Sequence, residues 1–88
     1  MTNPILERLS EDNPEALIAD GFDSAVIGVG YQGPKGPVAV YSFPKCIEAL
    51  ESEGMDHEEA LEYFEFNVQS AWVGENGPII LYEEPEVI

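Results

Sequence analysis

The sequence predicts a small two-layer α+β domain, a β-hairpin plus a third strand with two helices on one face. Three observations predict it. Two short β-branched runs flank a Gly- and Pro-rich loop, two consecutive segments carry apolar residues at spacings of three and four, and the apolar run Ile79-Ile80-Leu81-Tyr82 follows Gly77-Pro78. The order is β-β-α-α-β after a short N-terminal helical lead-in, and helices packed on one face of a hairpin joined by the last strand are the simplest two-layer solution.

Asn3-Pro4-Ile5-Leu6-Glu7-Arg8-Leu9 predicts one or two helical turns, with Asn3 as cap and Pro4 at the first helical position. A second short turn is expected after Asn13-Pro14, carrying Leu17 and Ile18 and ended by Gly21. Ser24 to Gly30 and Pro37 to Ser42 are the paired strands. Ser42 then caps a helix that puts Cys46, Ile47 and Leu50 on one face, and Gly54 stops it. Asp56 with Glu59 three residues on is a capping box that opens a second helix. Its apolar stripe is Leu61, Phe64, Val68 and Trp72, with Glu58, Glu59, Glu62, Glu65 and Gln69 on the outer faces. The chain reads as a single domain over 1–88, with a variable lead-in over 1–22, a core over 23–82 and a frayed acidic tail over 83–88.

Composition narrows the function classes. Eighteen acidic side chains against three basic ones leave a formal net charge of −15. Nucleic acid and anionic membrane both require clustered Lys and Arg in their ligand, so neither is an expected direct partner and a basic protein is. At 44% apolar residues the chain is too hydrophobic for a disordered acidic tail. Cys46 is the only cysteine, so no intramolecular disulfide forms and a reducing compartment is expected. The first residues contain no apolar run of the signal-peptide kind and no stretch reaches the length of a membrane span, which gives the cytoplasm as the expected location.

The motifs that invite catalytic or ligand readings fail on context. Gly28-Val29-Gly30-Tyr31-Gln32-Gly33 matches G-x-G-x-x-G, but the helix that would hold a pyrophosphate cannot start in Pro34-Lys35-Gly36-Pro37. His57 stands alone without a second nitrogen or sulfur ligand, so it reads as a solvated residue of the first helical turn and no metal is expected. Cys46 lies on an apolar helix face, where a thiol is an inert core residue. No D-x-[DN]-x-[DN]-G calcium loop is present. The expectation is a protein that is not an enzyme and holds no cofactor.

From Glu48 to Glu65 the chain places Glu48, Glu51, Glu53, Asp56, Glu58, Glu59, Glu62 and Glu65, eight acids in eighteen residues with no Lys or Arg among them. Like charges at i and i+4 destabilise a helix by a few tenths of a kcal/mol each, so the pattern gives up stability. Glu58 and Glu62 are about 6 Å apart along the axis at a rise of about 1.5 Å per residue, comparable to neighbouring phosphates on a nucleic acid strand. Such an array can present a lattice of negative charge to a DNA-binding cleft. A merely solubilising acidic surface is the alternative reading of the same residues, and salt adaptation a further one, although Glu outnumbers Asp by fourteen to four as helix preference demands.

Lys45-Cys46-Ile47-Glu48 through Glu53-Gly54-Met55, Glu58-Glu59-Ala60 and then Glu62-Tyr63-Phe64-Glu65-Phe66-Asn67-Val68 resemble a group of small uncharacterised tailed-phage proteins. The similarity covers about residues 20 to 82 and leaves the lead-in outside. It implies a viral accessory protein acting in the cytoplasm of an infected bacterium, and it brings no site residues with it.

The expected function is therefore that of a small acidic phage accessory protein docking on a basic host protein, of the DNA-mimic inhibitor type, through Glu48, Glu51, Glu58, Glu59, Glu62 and Glu65 with Tyr63 or Phe66 as aromatic anchor. The alternative is a self-associating assembly protein, a homodimer formed through the aromatic surface near Trp72 and Tyr82. A small-molecule site at the hairpin loop is a third reading and requires a concave pocket beside residues 28–36.

Overall fold

The computed structural model describes residues 3–31, 34, 36–69 and 74–82. Asn3 caps α1 (Pro4–Asp12), its side-chain oxygen accepting from the N–H of Ile5 at 2.8 Å and of Leu6 at 3.4 Å. Pro4 sits where its missing N–H has no intrahelical partner to lose. Two side-chain amides lay this helix along the hairpin: Asn3 donates to the carbonyl of Asp23 at 2.9 Å, and Asn13 to the carbonyl of Pro37 at 2.8 Å. Leu9 is thereby buried, so the lead-in forms part of the core.

The second helical turn expected between Asn13 and Gly21 does not form. A turn at Pro14 and Glu15 is followed by irregular chain. The backbone donors are committed elsewhere: Glu15 N–H to the Asn13 side-chain oxygen at 3.2 Å, Leu17 N–H to the Asn76 carbonyl at 2.9 Å, and Ala19 N–H to the Tyr41 hydroxyl at 2.8 Å. Short polar side chains and distant acceptors have outcompeted local helix bonds. Leu17 and Ile18 are exposed.

A single 3₁₀ turn, Asp23–Ala25, leads into β1 (Val26–Tyr31), which starts two residues later than the predicted Ser24. β2 (Pro37–Ser42) pairs with it antiparallel, Val29 opposite Ala39 and Gly30 opposite Val38, with a bulge between Val26 and Gly28. β3 (Ile79–Leu81) adds to the other side of β2 in parallel, giving the order β1-β2-β3. A parallel neighbour needs a crossover, and the helix pair supplies it.

α2 (Phe43–Ser52) is capped by the Ser42 hydroxyl, which accepts from Lys45 N–H at 3.4 Å, and is followed by Gly54 at φ +108°. α3 (His57–Phe64) opens on the predicted capping box: Glu59 N–H donates to Asp56 at 2.8 Å and Asp56 N–H to Glu59 at 3.1 Å. Beyond Phe64 the helix widens into π-type turns over Glu65–Gln69, so the regular spacing expected through Val68 is not kept. Trp72 and the tail over 83–88 lie outside the described residues.

The core lies between the sheet and the helices. Ala39 and Tyr41 alternate onto the helix-covered face of β2 and meet Val26, Cys46, Ile47, Leu50, Ala60 and Phe64. The Phe64 ring stands edge-on to Phe22, with centroids 6.0 Å apart, and to Phe43 at 5.4 Å; Phe43 in turn stacks on Tyr82 at 4.2 Å. This aromatic chain fixes α2, α3 and the end of β3 together, each edge-on pair adding about 0.5–1.5 kcal/mol to simple burial.

Candidate functional site

The acidic run from Glu48 to Glu65 faces outward. Of its eight carboxylates, Glu51 is half-buried and the other seven are exposed. Burial of Ala60 and Phe64 fixes the rotation of α3, and that rotation sends Glu58, Glu62 and Glu65 to the opposite side as one ridge at i, i+4 and i+7. A second ridge beside it carries Glu59, Tyr63 and Phe66.

These predicted residues are not equivalent. Glu59 spends a carboxylate oxygen on the Asp56 N–H as part of the capping box. The Glu51 carboxylate lies 2.7 Å from Nδ1 of His57, which donates since a carboxylate only accepts. That contact ties the last turn of α2 to the first turn of α3, and it gives His57 a partner that the lone-histidine reading did not foresee. Glu48 is exposed on α2, and Glu58, Glu62 and Glu65 are exposed on α3.

Tyr63 is 44% exposed and Phe66 is 78% exposed, large values for aromatic rings on a packed helix. Together with Met55, Glu59, Glu62 and Asn67 they border an open groove of about 300 Å³. Sequence reasoning named the two rings and the acids but missed Met55 and Asn67. Asn67 donates to the Tyr63 carbonyl at 3.0 Å, a bond across the start of the widened turns. The i, i+4 spacing of Tyr63 and Asn67 was the available signal.

A second groove, of about 450 Å³, lies between α1 and β1, bordered by Ile5, Arg8, Asp12, Ile27, Val29 and Tyr31. It adjoins Gly28, as the small-molecule reading requires, yet α1 and the strand form its walls. Its ionisable groups are Arg8 and Asp12, 3.7 Å apart, and Tyr31. No nucleophile with an activating base stands among them.

Cys46 is buried, and burial pushes its thiol up to about 11, so the inert-core reading fits. Burial also raises Tyr41, against the opposing hydrogen bond from Ala19. Among the described residues no group of three or more His, Cys, Asp or Glu is placed to hold a metal ion, and no helix is long and apolar enough to cross a membrane. Of the aromatic pair expected to drive self-association, Tyr82 stacks on Phe43 and Trp72 lies outside the described residues. The chain matches no protein-family model, and no curated protein or solved structure matches it.

Proposed function

We propose that this chain is a binding module, not an enzyme, and that it docks the outer face of α3 on the basic surface of another protein. The observation that carries the reading is the adjacency of two unlike ridges: the carboxylates of Glu58, Glu62 and Glu65 beside the exposed rings of Tyr63 and Phe66, around one groove. Carboxylates set encounter rate and partner choice, while buried aromatic anchors supply most of the binding energy. A surface kept acidic only for solubility has no use for a phenylalanine ring that is 78% exposed in the middle of it.

The resemblance to small phage proteins extends the reading to a host protein whose own ligand is nucleic acid, with the carboxylate ridge standing where phosphates would lie. Glu48 extends the anionic surface onto α2.

The test is capture of partners from bacterial lysate on the immobilised chain at low and at high salt. Expected is a basic protein retained at about 50 mM salt, released by about 0.5 M as screening shortens the Debye length to a few ångströms, and lost with Phe66→Ala. Capture of no basic protein, or of one indifferent to salt, would sink the reading. A second reading, self-association, is favoured by the same exposed rings and opposed by a net charge of −15 on each chain; a mass in solution that does not change with concentration removes it.

A further inference from the structure

We propose that β1 is a receiving edge: an extended segment of a basic protein adds to it as a fourth strand and sets alternate side chains into the groove beside α1. In one sheet, β1 lies at the edge, and among the described residues no hydrogen bond satisfies its outward backbone groups. Natural edges are usually guarded by lysine, proline or an inward charge. Val26–Tyr31 carries none of these, and its single bulge, between Val26 and Gly28, leaves the run from Gly28 to Tyr31 regular.

The groove supplies what an open edge alone lacks, a place for side chains. Val29 and Tyr31, two positions apart in the regular run, share one face of the strand, and both border the groove together with the bulged Ile27 and with Ile5, Arg8 and Asp12 of α1. Val29 is 38% exposed and Tyr31 70% exposed, so apolar surface stands ready there. An added strand would donate to and accept from the edge with its backbone, and point every other side chain at Val29 and Tyr31. That combination of edge pairing and flanking pockets is how strand addition obtains affinity and specificity.

Charge selects the occupant. Arg8 and Asp12 pair at 3.7 Å and cancel locally, whereas the whole chain carries −15, so an approaching segment is attracted if it is basic and a second copy of this chain is repelled. On the face away from the groove, Gly28 puts no side chain in the way of long cations, and nothing lies within 4 Å of where its Cβ would stand. The fitting segment therefore alternates apolar residues with lysine or arginine. The preference for a basic segment rests on the docking proposal above; the open edge does not.

The probe is a blocked nine-residue peptide alternating valine and lysine, compared with one carrying glutamate in place of lysine, followed by amide chemical shifts and hydrogen exchange of the full chain. Expected are shifts at residues 26–31 with slowed exchange at alternate amides, no binding of the glutamate peptide, and loss of binding when alternate peptide amides are N-methylated in one of the two phases only. Val29→Asp should weaken binding at least tenfold although it adds negative charge, and Tyr31→Asp serves if the first variant unfolds. Shifts confined to α3, binding unchanged in both variants, or a dimer dissolved by Val29→Asp would overturn the proposal. Binding that survives Val29→Asp but fails in the triple variant Glu58→Gln, Glu62→Gln, Glu65→Gln would overturn the edge and support docking through α3. Loss in Val29→Asp with the triple variant still binding would support the edge and count against α3.

Discussion

The wholly buried phenol of Tyr41 accepts the backbone N–H of Ala19 at 2.8 Å, joining the middle strand to a segment that has no regular structure of its own. Removing the hydroxyl leaves a partly buried donor without its partner. Tyr41→Phe is expected to destabilise the fold by about 1–3 kcal/mol. Urea unfolding checks the size, and faster amide exchange around residues 16–22 checks the place.

Asn13 should be the more sensitive position. Its buried amide donates to the Pro37 carbonyl at 2.8 Å and to the Asn76 side-chain oxygen at 3.2 Å, while its own oxygen accepts from Glu15 N–H. Asn13→Asp would turn a donor into a charge facing the Pro37 carbonyl. The expected loss is at least about 2 kcal/mol at neutral pH, partly recovered as the pH falls far enough to protonate the new carboxyl. A urea midpoint that does not move would show that the end of α1 is held by other contacts.

Those two residues also mark where the sequence stopped being legible. Elements set by local chemistry were readable: Asn3 with Pro4, Ser42, and Asp56 with Glu59 each announced a helix start, and the short β-branched run after the Gly- and Pro-rich loop announced β2 to the residue. The stretch after Asn13 carried helix-like punctuation too, but its outcome was decided by partners at Tyr41 and Asn76, far off in sequence. The outward rotation of the α3 acids followed from the apolar stripe; the Glu51 to His57 contact and the groove beside β1 depend on how elements meet, which periodicity does not encode.

Cys46 makes stability depend on alkaline pH. Its thiol is raised from an ordinary 9.0 to about 11 in the fold, so the unfolded chain loses this proton first. The stabilising contribution is complete below about pH 9 and is lost as pH climbs toward 11, by roughly 2–3 kcal/mol at most. Cys46→Ala should flatten the fall of the urea midpoint between pH 8 and pH 10. The native thiol should also react with a disulfide reagent only at the rate of opening. Equal slopes in both proteins, or fast labelling of the native state, would contradict the burial.

Gly30 is required by close approach across the sheet. A Cβ there would come within 3.2 Å of both Ile79 Cδ1 and Val40 Cγ2, side chains that come from β3 and β2. Gly30→Val is expected to cost about 1–3 kcal/mol through overpacking despite the better strand propensity of valine. Combining it with Ile79→Val should restore part of the loss in a double-mutant cycle; strictly additive effects would place the added methyls elsewhere.

The carboxylate ridge should hold the fold below its attainable stability. Glu58 and Glu62 face each other at i and i+4, Glu65 continues the row, and all three are exposed without an opposite charge between them. Each like-charge contact costs a few tenths of a kcal/mol, and salt screens it. Glu62→Gln is therefore expected to raise stability by about 0.3–1 kcal/mol at about 10 mM salt and by much less at 0.5 M, while reducing capture of a basic partner. Thermal unfolding at the two salt concentrations, run beside the lysate capture, separates the readings: a variant more stable and still fully competent in capture would mean that the row serves only solubility, whereas stability gained together with capture lost is the signature of charges held in place for a partner.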